Sequence, residues 1–222
     1  MLLARTDPDA AKHRGISFFL VDMKSPGIQV CPIINMAGRH DFNQVIFDNV
    51  RVPSSNIVGE ENRGWYVAVT LLDFERSGIK YSANARRLLD DVREYAAETK
   101  RNGLPLLDTP WLRHAMTDRY IECEVARLIA YNVAYMQSQG LVPNKEASLS
   151  KVFGSETVQR VTCTCLDILG TYGMLGRDEK WTPLKSRVQE SWMMSFSGTI
   201  AAGTSEIQRN VIASRGLGLP RG

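Results

Sequence analysis

The sequence contains few of the residues that build metal centres and disulfide frameworks. Its 222 residues include four cysteines and three histidines. No two cysteines form a C-x-x-C pair, and the histidines lie far apart along the chain. This spacing predicts neither a zinc ribbon, nor a disulfide scaffold, nor any other metal site. We expect Cys163 and Cys165 to be free thiols within a helix.

Long apolar runs and a strong charge of one sign are also missing. No stretch reaches the roughly 20 apolar residues of a membrane-spanning helix, and the N-terminal sequence MLLARTDPDA soon turns charged, unlike a signal peptide. The net charge is +3 and the 27 basic residues are scattered, whereas nucleic-acid-binding proteins gather them into a patch. With 44% hydrophobic residues, the composition predicts a cytoplasmic globular protein of one or two domains, without membrane or nucleic-acid partners.

The character of the chain changes near residue 60. Upstream, the segments GISFFLVDM and NQVIFDNVRVP are rich in β-branched and aromatic residues and end in turn formers, which predicts three or four short strands. Downstream, the apolar spacing is helical. Four helical segments are predicted, at residues 65–101, 111–140, 144–175 and from Ser205 onward.

Long helices joined by short connections are typical of an up-down bundle. A polar, tryptophan-containing stretch at residues 176–198 separates the third helix from the fourth. The predicted fold is therefore mainly α. A C-terminal four-helix bundle domain is expected at residues 59–222, preceded by part of a β-domain at residues 1–58.

One carboxylate falls on an apolar helix face. Ala68, Leu72, Glu75 and Ile79 are spaced by four, three and four residues, so they share one side of the first predicted helix. A carboxylate on a packing face is costly unless it is paired or has a function. Either it forms a salt bridge to a neighbouring helix, or burial raises its pKa and makes it a general base. Periodicity alone favours the salt bridge.

A second motif, IAAGTSEIQRNVIA, begins at Ile200 and predicts a ligand-facing helix start. Ser205 and Gln208 match a capping box, and Gly203 can adopt backbone angles closed to other residues. Free N–H groups at a helix start suit an anionic or oxygen-rich ligand. The loop before the cap, IAAG, carries no side chain that can move a proton, so a base would have to come from elsewhere.

Together, GTSEIQRNVIA, LLDFERSGI, VIFDNVRVP and the closing GLGLPRG resemble the motifs of acyl-CoA dehydrogenases. The resemblance covers essentially the whole chain. It corresponds to the C-terminal part of the family's middle β-domain and all of its C-terminal helical domain, so we expect the rear half of a longer enzyme. The resemblance implies an acyl-CoA substrate, FAD as cofactor and an electron-transfer flavoprotein as electron acceptor.

The resemblance also assigns roles to residues. Many members carry the catalytic glutamate directly before the Gly-Thr of the second motif, where this chain has Ala202. A smaller group, including the isovaleryl and long-chain types, carries it on the first long helix of the C-terminal domain, directly before an arginine. That position is Glu75, followed by Arg76. The resemblance therefore implies that Glu75 is the base, against the interpretation from periodicity, and it places Arg76 and Asp73 near the CoA ligand.

For the cofactor, the resemblance implies contacts at two places in the sequence. The first is next to the flavin and its ribityl-diphosphate arm, at Gly203, Thr204 and Glu206. The second is the segment DILGTYG, which in the family reaches the FAD diphosphate bound by the partner subunit. Its residues here are Asp167, Gly170 and Thr171.

Two departures from the family pattern affect the second place. Asp167 and Thr171 replace a glutamine and a glycine, and a carboxylate facing a diphosphate is unfavourable. Thr99 and Asn102 replace an arginine and a phenylalanine at the end of the first long helix. Lys100 or Arg101 could restore the charge without the same bidentate geometry.

An imperfect FAD site between subunits is similar to that of bacterial acyl-CoA dehydrogenases of steroid side-chain degradation, which pair two different subunits. We therefore expect a homo- or hetero-oligomer, a dimer or tetramer, that includes a second acyl-CoA dehydrogenase subunit. The expected substrate carries a bulky or branched acyl group, a steroid among them. Gly78 either leaves room for such a group or marks a helix-packing contact.

Two alternatives stay open. In the first, the chain is a non-catalytic subunit that completes a partner's FAD site, and Glu75 forms only a salt bridge. In the second, it is a flavin monooxygenase or oxidase that shares the fold.

Overall fold

The computed structural model of the protein describes residues 1–75 and 78–220, and for residues 72–75 it describes the helical backbone alone. The chain divides into two compact units, Met1–Phe74 and Glu75–Gly222. The domain boundary between residues 58 and 59 stays a prediction.

The first unit contains two antiparallel hairpins. In one, β1 (Leu2–Arg5) pairs with β2 (Ile16–Phe19), and in the other, β3 (Ile28–Ile33) pairs with β4 (Phe42–Phe47). These four short strands confirm the number expected from the sequence. Every residue of β4 is exposed. The helix α1 (Gly64–Glu75) follows the strands.

The second unit is the helical bundle, and it confirms the predicted fold class. Its long helices, which pack against one another, are α2 (Ile79–Glu98), α3 (Pro110–Ser138) and α4 (Asn144–Leu169). The core between them contains Leu89, Val92, Leu112, Val161 and Ile168, each at most 2% exposed.

Short elements complete the second unit. Between α2 and α3, the two-residue strands β5 (Lys100–Arg101) and β6 (Leu104–Pro105) form a tight hairpin. Its turn residues, Asn102 and Gly103, both have positive φ, which matches the right-handed twist of the flanking strands. The helices α5 (Arg187–Gly198) and α6 (Ser205–Val211) pack on α4, and a π-helical turn, Ile212–Gly216, extends α6.

The prediction of a single helix over residues 65–101 was wrong. The helix α1 ends at Glu75, and α2 begins at Ile79 after Gly78, whose φ is +76°. A Cβ on Gly78 would clash with the Ser150 hydroxyl of α4, so any other residue is strained here, both by its backbone angle and by the close approach of α4. Of the two interpretations of Gly78, the structure therefore supports the helix-packing contact.

The polar stretch at residues 176–198 also differs from expectation, because its second half is the helix α5. This helix packs on α4, and Val188 is buried in the core of the bundle. Two of its serines satisfy their hydroxyls within the helix: Ser195 donates to Trp192 O and Ser197 to Met194 O. Such bonds let serine occupy a helix without an unpaired hydroxyl.

Candidate functional site

Three of the predicted site residues lie where the structure describes no side chains. Glu75 is the last residue of α1. The side chains of Glu75 and Asp73, and Arg76 as a whole, lie outside the described residues, so their roles stay predictions. The apolar face that singled out Glu75 is shorter than expected, because Ile79 belongs to α2 and not to α1.

The loop at residues 199–204, which connects α5 to α6, has an uncommon backbone. Ala202 has a φ of +54° and Gly203 a φ of +89°, so two successive residues are left-handed. Glycine takes this conformation freely, whereas a residue with a Cβ is strained in it. Ser205 N–H closes the loop by donating to Thr199 O at 2.9 Å.

The cap of α6 lies one residue earlier than predicted. Thr204, with φ −59° and ψ 160°, is the N-cap, and its Oγ1 accepts the Ile207 N–H at 3.3 Å. The predicted capping box between Ser205 and Gln208 was wrong. Threonine and serine are both good N-caps, so the sequence alone did not separate Thr204 from Ser205.

Gln208 does not form a capping box but bonds to the loop that precedes α6. Its side chain is 1% exposed, and its Nε2 donates to Ala202 O at 2.9 Å. A Cβ on Gly203 would lie 2.5 Å from that Nε2, so the glutamine amide occupies space that only glycine leaves open. Gln208 thus holds the loop from inside the bundle.

The start of α6 has a carboxylate of its own, that of Glu206. The Glu206 carboxylate accepts from its own backbone N–H and from the Thr204 hydroxyl, which holds its pKa below the ordinary value, and Arg209 and the buried Lys151 lower it further. The Ser205 and Ile207 N–H groups are bonded within the chain, so these two are not free for a ligand, and the expectation of an anionic or oxygen-rich ligand at this helix start stays a prediction. The carboxylate accepts from hydroxyl groups, so this surface suits a sugar or polyol better than a phosphate.

A polar groove lies on one side of the loop. Its lining includes Glu156, Gln159, Arg160, Thr199, Thr204, Ser205, Glu206 and Arg209. Both arginines are already paired, Arg209 with Glu156 at 2.8 Å and Arg160 with Glu122 at 3.0 Å. Ser205 Oγ is buried and has no hydrogen-bond partner among the residues that the structure describes. A buried hydroxyl of this kind marks a place where a hydrogen-bonding ligand is favoured.

An apolar cavity of about 340 Å³ lies on the other side of the loop, between α2, α4 and α5. Its lining includes Tyr81, Ala85, Leu88, Val158, Met194 and Ala201. Ala201 borders this cavity, and Thr204 borders the polar groove. The loop at residues 199–204 is therefore the wall between an apolar and a polar space.

The second predicted set of cofactor residues lies at the far end of α4. Asp167 and Thr171 are exposed there, and Gly170 is the C-cap with a φ of +61°. Asp167 lies about 16 Å further along the helix axis than Glu156 of the groove, by the rise of an α-helix. Within one chain, the two predicted sets are therefore not part of one pocket. Arg101 Nη2 lies 3.7 Å from the point that a Cβ on Gly170 would occupy.

Sequence patterns did not give the positions of three residues near these spaces, although Arg101 was named as a replacement for the missing charge and Gln208 as part of a capping box. Lys151 is 2% exposed on α4, Gln208 is buried under the loop, and Arg101 lies beside Gly170. A lysine between apolar residues of a buried helix face could have been noticed. The contacts of Gln208 and Arg101 depend on how the chain folds back on itself, and no local spacing indicates them.

The cysteines are free thiols, as expected. Burial raises the pKa of the Cys165 thiol to about 12 and that of Cys123 to about 11, so both stay protonated and unreactive at neutral pH. Across residues 1–71 and 78–220, whose side chains the structure describes, no group of three or more His, Cys, Asp and Glu side chains could hold a metal ion. Over the same residues, none of the helices combines the length and the apolar character that crossing a membrane requires.

Comparison with known proteins places these features in a family. Residues 62–217 match the family described as acyl-CoA dehydrogenase, C-terminal domain. Acyl-CoA dehydrogenase FadE26 of Mycobacterium tuberculosis is 35% identical over 228 residues, which cover 99% of this chain and 56% of that protein. The chain thus spans about half the length of the curated relatives it matches.

Two solved structures share the fold along the entire chain. The ChsE4-ChsE5 complex from Mycobacterium tuberculosis superposes with a TM-score of 0.89 at 36% identity, covering 100% of this chain and 57% of that one. The steroid ACAD Tcur3481-Tcur3483 superposes with a TM-score of 0.91 at 31% identity, again covering 100% of this chain and 56% of that one.

Proposed function

Since the chain belongs to the acyl-CoA dehydrogenase family, we propose that it is part of an FAD-dependent enzyme that oxidises an acyl-CoA thioester to its α,β-unsaturated form. The observation that carries this proposal is the wall at residues 199–204, with an apolar cavity on one side and a polar groove on the other. Such a wall suits two ligands that lie on its two sides, one apolar, such as an acyl group, and one rich in hydroxyl groups, such as FAD.

The base of this reaction is Glu75, because the wall itself contributes no carboxylate. Its carboxylate takes the proton from the α-carbon, while the β-carbon loses a hydride and a double bond forms between the two carbons. The substrate thereby loses one proton and one hydride, and the hydride carries both of the electrons that are lost. Bound FAD supplies the acceptor for that hydride, and an electron-transfer flavoprotein receives the electrons in turn. Arg76 and Asp73 hold the CoA part of the substrate.

The groove residues suit the hydroxyl groups of FAD. Thr204 and Ser205 carry hydroxyls, and the Glu206 carboxylate accepts from hydroxyl donors. Gly203 keeps the backbone in the left-handed turn beside them. The diphosphate suits the C-terminal end of α4 better, where Arg101 lies beside Gly170. Because that end is about 16 Å from the groove along the helix axis, a diphosphate at Gly170 and Thr171 belongs to a flavin that is bound mainly by a second subunit.

The substrate proposed for this site has a bulky or branched acyl group. The apolar cavity is lined by residues from three helices, several of them small, among them Ala85, Ser155, Ser195 and Gly198. Small side chains leave width for a ring system, and an apolar ring gains free energy when it leaves water. The steroid in the name of one structural neighbour is a member of this class.

A second acyl-CoA dehydrogenase subunit is the proposed partner, and α3 offers it a surface. Ile121, Val125, Leu128 and Tyr135 are spaced by four, three and seven residues on one helix face, and their exposures are 58%, 39%, 59% and 64%. We name these four residues the α3 stripe. A contiguous apolar stripe of this kind is typical of a protein interface, and its heptad spacing suits a helix from the partner.

A non-catalytic role in a heteromer is the second candidate. It is favoured by Asp167, whose carboxylate opposes a diphosphate at the end of α4, and by structural neighbours whose names join two proteins. In this case Glu75 forms a salt bridge and the partner supplies the base. The family assignment leaves the flavin monooxygenase or oxidase alternative without a specific observation in its favour.

The decisive experiment uses the full-length enzyme that contains this sequence. Anaerobic addition of an acyl-CoA is expected to bleach the visible absorbance of bound flavin, as hydride leaves the substrate. Exchange of the substrate α-proton with solvent then identifies the chain that carries the base. The Glu75→Gln variant abolishes this exchange only if Glu75 is the base. Unchanged exchange in the variant would favour the non-catalytic role.

A further inference from the structure

The left-handed turn at Ala202 and Gly203 requires a constraint that keeps it in place. A residue with a Cβ takes this conformation only where the surrounding structure imposes it, and Ala202 has a φ of +54°. The start of the loop is fixed at Thr199, whose Oγ1 accepts from Gln159 Nε2 at 3.2 Å and whose O accepts from Ser205 N–H at 2.9 Å. Neither bond reaches the turn itself.

The bond that reaches the turn comes from Gln208. Its Nε2 donates to the carbonyl of Ala202, the left-handed residue with a side chain, and the same amide fills the space beside Gly203. Its Oε1 is buried without a hydrogen-bond partner among the described residues. A buried amide that satisfies only one of its two ends is less favourable than an apolar side chain of the same size. Packing alone therefore does not account for a glutamine here.

We propose that Gln208 is a positioning residue that locks the Ala202–Gly203 turn and so fixes the wall between the apolar cavity and the polar groove. Ala201 faces the cavity and Thr204 the groove, and the locked turn connects the two. The inference deepens the proposed function and rests on it, because it concerns how the acyl group and FAD meet across this wall. Gln208 takes part in no covalent bond that the reaction makes or breaks.

Two substitutions in the full-length, FAD-loaded enzyme test the proposal. Gln208→Met keeps the length and bulk of the side chain and removes the donor. Gln208→Glu also removes the donor when the carboxyl is ionised, but a protonated carboxyl donates to Ala202 O. Gln189→Met is the matched control, because Gln189 Nε2 also donates to a backbone oxygen, that of Met174 at 2.8 Å, near the start of α5 and not in the loop.

The first readout is amide hydrogen exchange of the loop. We expect Gln208→Met to raise the exchange rate of the peptide that contains Ser205 at least tenfold, and Gln189→Met to leave it at the wild-type rate. The second readout is the dissociation constant of FAD, which we expect to rise about tenfold in Gln208→Met. A hydrogen bond worth about 1.4 kcal/mol corresponds to a factor of ten.

The pH dependence separates a positioning role from a merely structural one. In Gln208→Glu, FAD affinity is expected to be near that of the wild type at low pH, where the carboxyl donates. It is expected to fall as the pH rises through the pKa of that carboxyl, which burial raises. The wild-type amide does not titrate, so the transition at residue 208 is the difference between the pH series of Gln208→Glu and that of the wild type, which contains the titration of Glu156 and Glu206 as well.

Each outcome bears on one claim. Wild-type loop exchange and FAD affinity in Gln208→Met, or a pH-independent affinity in Gln208→Glu, would overturn the positioning role. If Gln208→Met does not fold, the pH series of Gln208→Glu decides alone. A wild-type enzyme that holds no FAD would overturn the proposed function instead, while the exchange experiment still tests whether Gln208 locks the turn.

Discussion

Arg101 Nη2 lies 3.7 Å from the point that a Cβ on Gly170 would occupy. The tight hairpin of β5 and β6 brings this arginine to the end of α4, although Thr99 stands where many acyl-CoA dehydrogenases have an arginine. The charge missing at residue 99 is thus present two residues later. Lys100 precedes Arg101 on β5, and successive side chains of a strand point to opposite faces, so the two cations are distinguishable by experiment.

The first prediction concerns this arginine. In the full-length oligomer, Arg101→Gln is expected to weaken FAD binding about tenfold, the size of one hydrogen bond to a charged group. Lys100→Gln is the control and is expected to change the dissociation constant less than about threefold, as a surface charge does. Titration of the apoenzyme with FAD, followed by flavin fluorescence, measures both. Equal effects of the two substitutions would mean that only the net charge matters.

The second prediction concerns Asp167, which is exposed one turn before Gly170. Asp167→Gln removes a negative charge where the diphosphate of FAD is proposed to bind, so flavin occupancy in the oligomer is expected to rise. The ratio of flavin absorbance to protein absorbance measures it. Asp178→Asn, a change of an exposed carboxylate in a loop, is the control. Occupancy that does not change in Asp167→Gln would show that this carboxylate does not face the cofactor.

The third prediction concerns the α3 stripe. Leu128→Glu places a charge in the middle of the four apolar side chains, and burying an unpaired charge in an interface is costly. We therefore expect a smaller assembly by size-exclusion chromatography with light scattering. Ala134→Glu, on an exposed position of the same helix outside the stripe, is expected to keep the wild-type mass. An unchanged mass in Leu128→Glu would remove α3 as the subunit contact.

The fourth prediction concerns stability. Gly78→Ala forces a Cβ into a left-handed conformation and against the Ser150 hydroxyl, and we expect it to lower the free energy of unfolding by about 1–3 kcal/mol. The melting temperature should fall by several degrees. Gly176→Ala has open space around the added methyl and serves as the control. A wild-type melting temperature in Gly78→Ala would mean that α4 moves away from the added methyl group without a loss of stability.

Much of the fold follows from features that are local in sequence. Proline and glycine mark the ends of α3 and α4, so both helices begin within one residue of the prediction. The break between α1 and α2 was missed, because a single glycine is tolerated in a helix and only the approach of Ser150 makes Gly78 a boundary. The helix α5 was missed because it is short, with 12 residues, and a helix of that length depends on tertiary packing such as that on α4.

The candidate site follows from the sequence less completely. Gly203 and Thr204 were found because turn and cap chemistry is local, although the cap was assigned to Ser205. The bond from Gln208 to Ala202 and the position of Arg101 depend on tertiary folding. The resemblance assigns Thr204 to the flavin of its own chain and Asp167 to a diphosphate bound by the partner subunit, and both assignments stay predictions. In the structure, Thr204 shares the groove with Glu156 in the middle of α4, whereas Asp167 lies near the C-terminal end of that helix.

The fifth prediction concerns the base. Glu75→Gln in the full-length enzyme is expected to lower the rate of flavin reduction by roughly 10²–10⁴-fold, the usual size of a general-base contribution, while FAD stays bound. Adding Ala202→Glu to this variant is expected to recover part of the rate, because Ala202 belongs to the wall between the cavity and the groove and the family uses both positions. Ala202→Gln in the same background is the control and restores nothing. Near wild-type reduction in Glu75→Gln would place the base elsewhere, and recovery by Ala202→Gln would show that the proton transfer does not need a carboxylate.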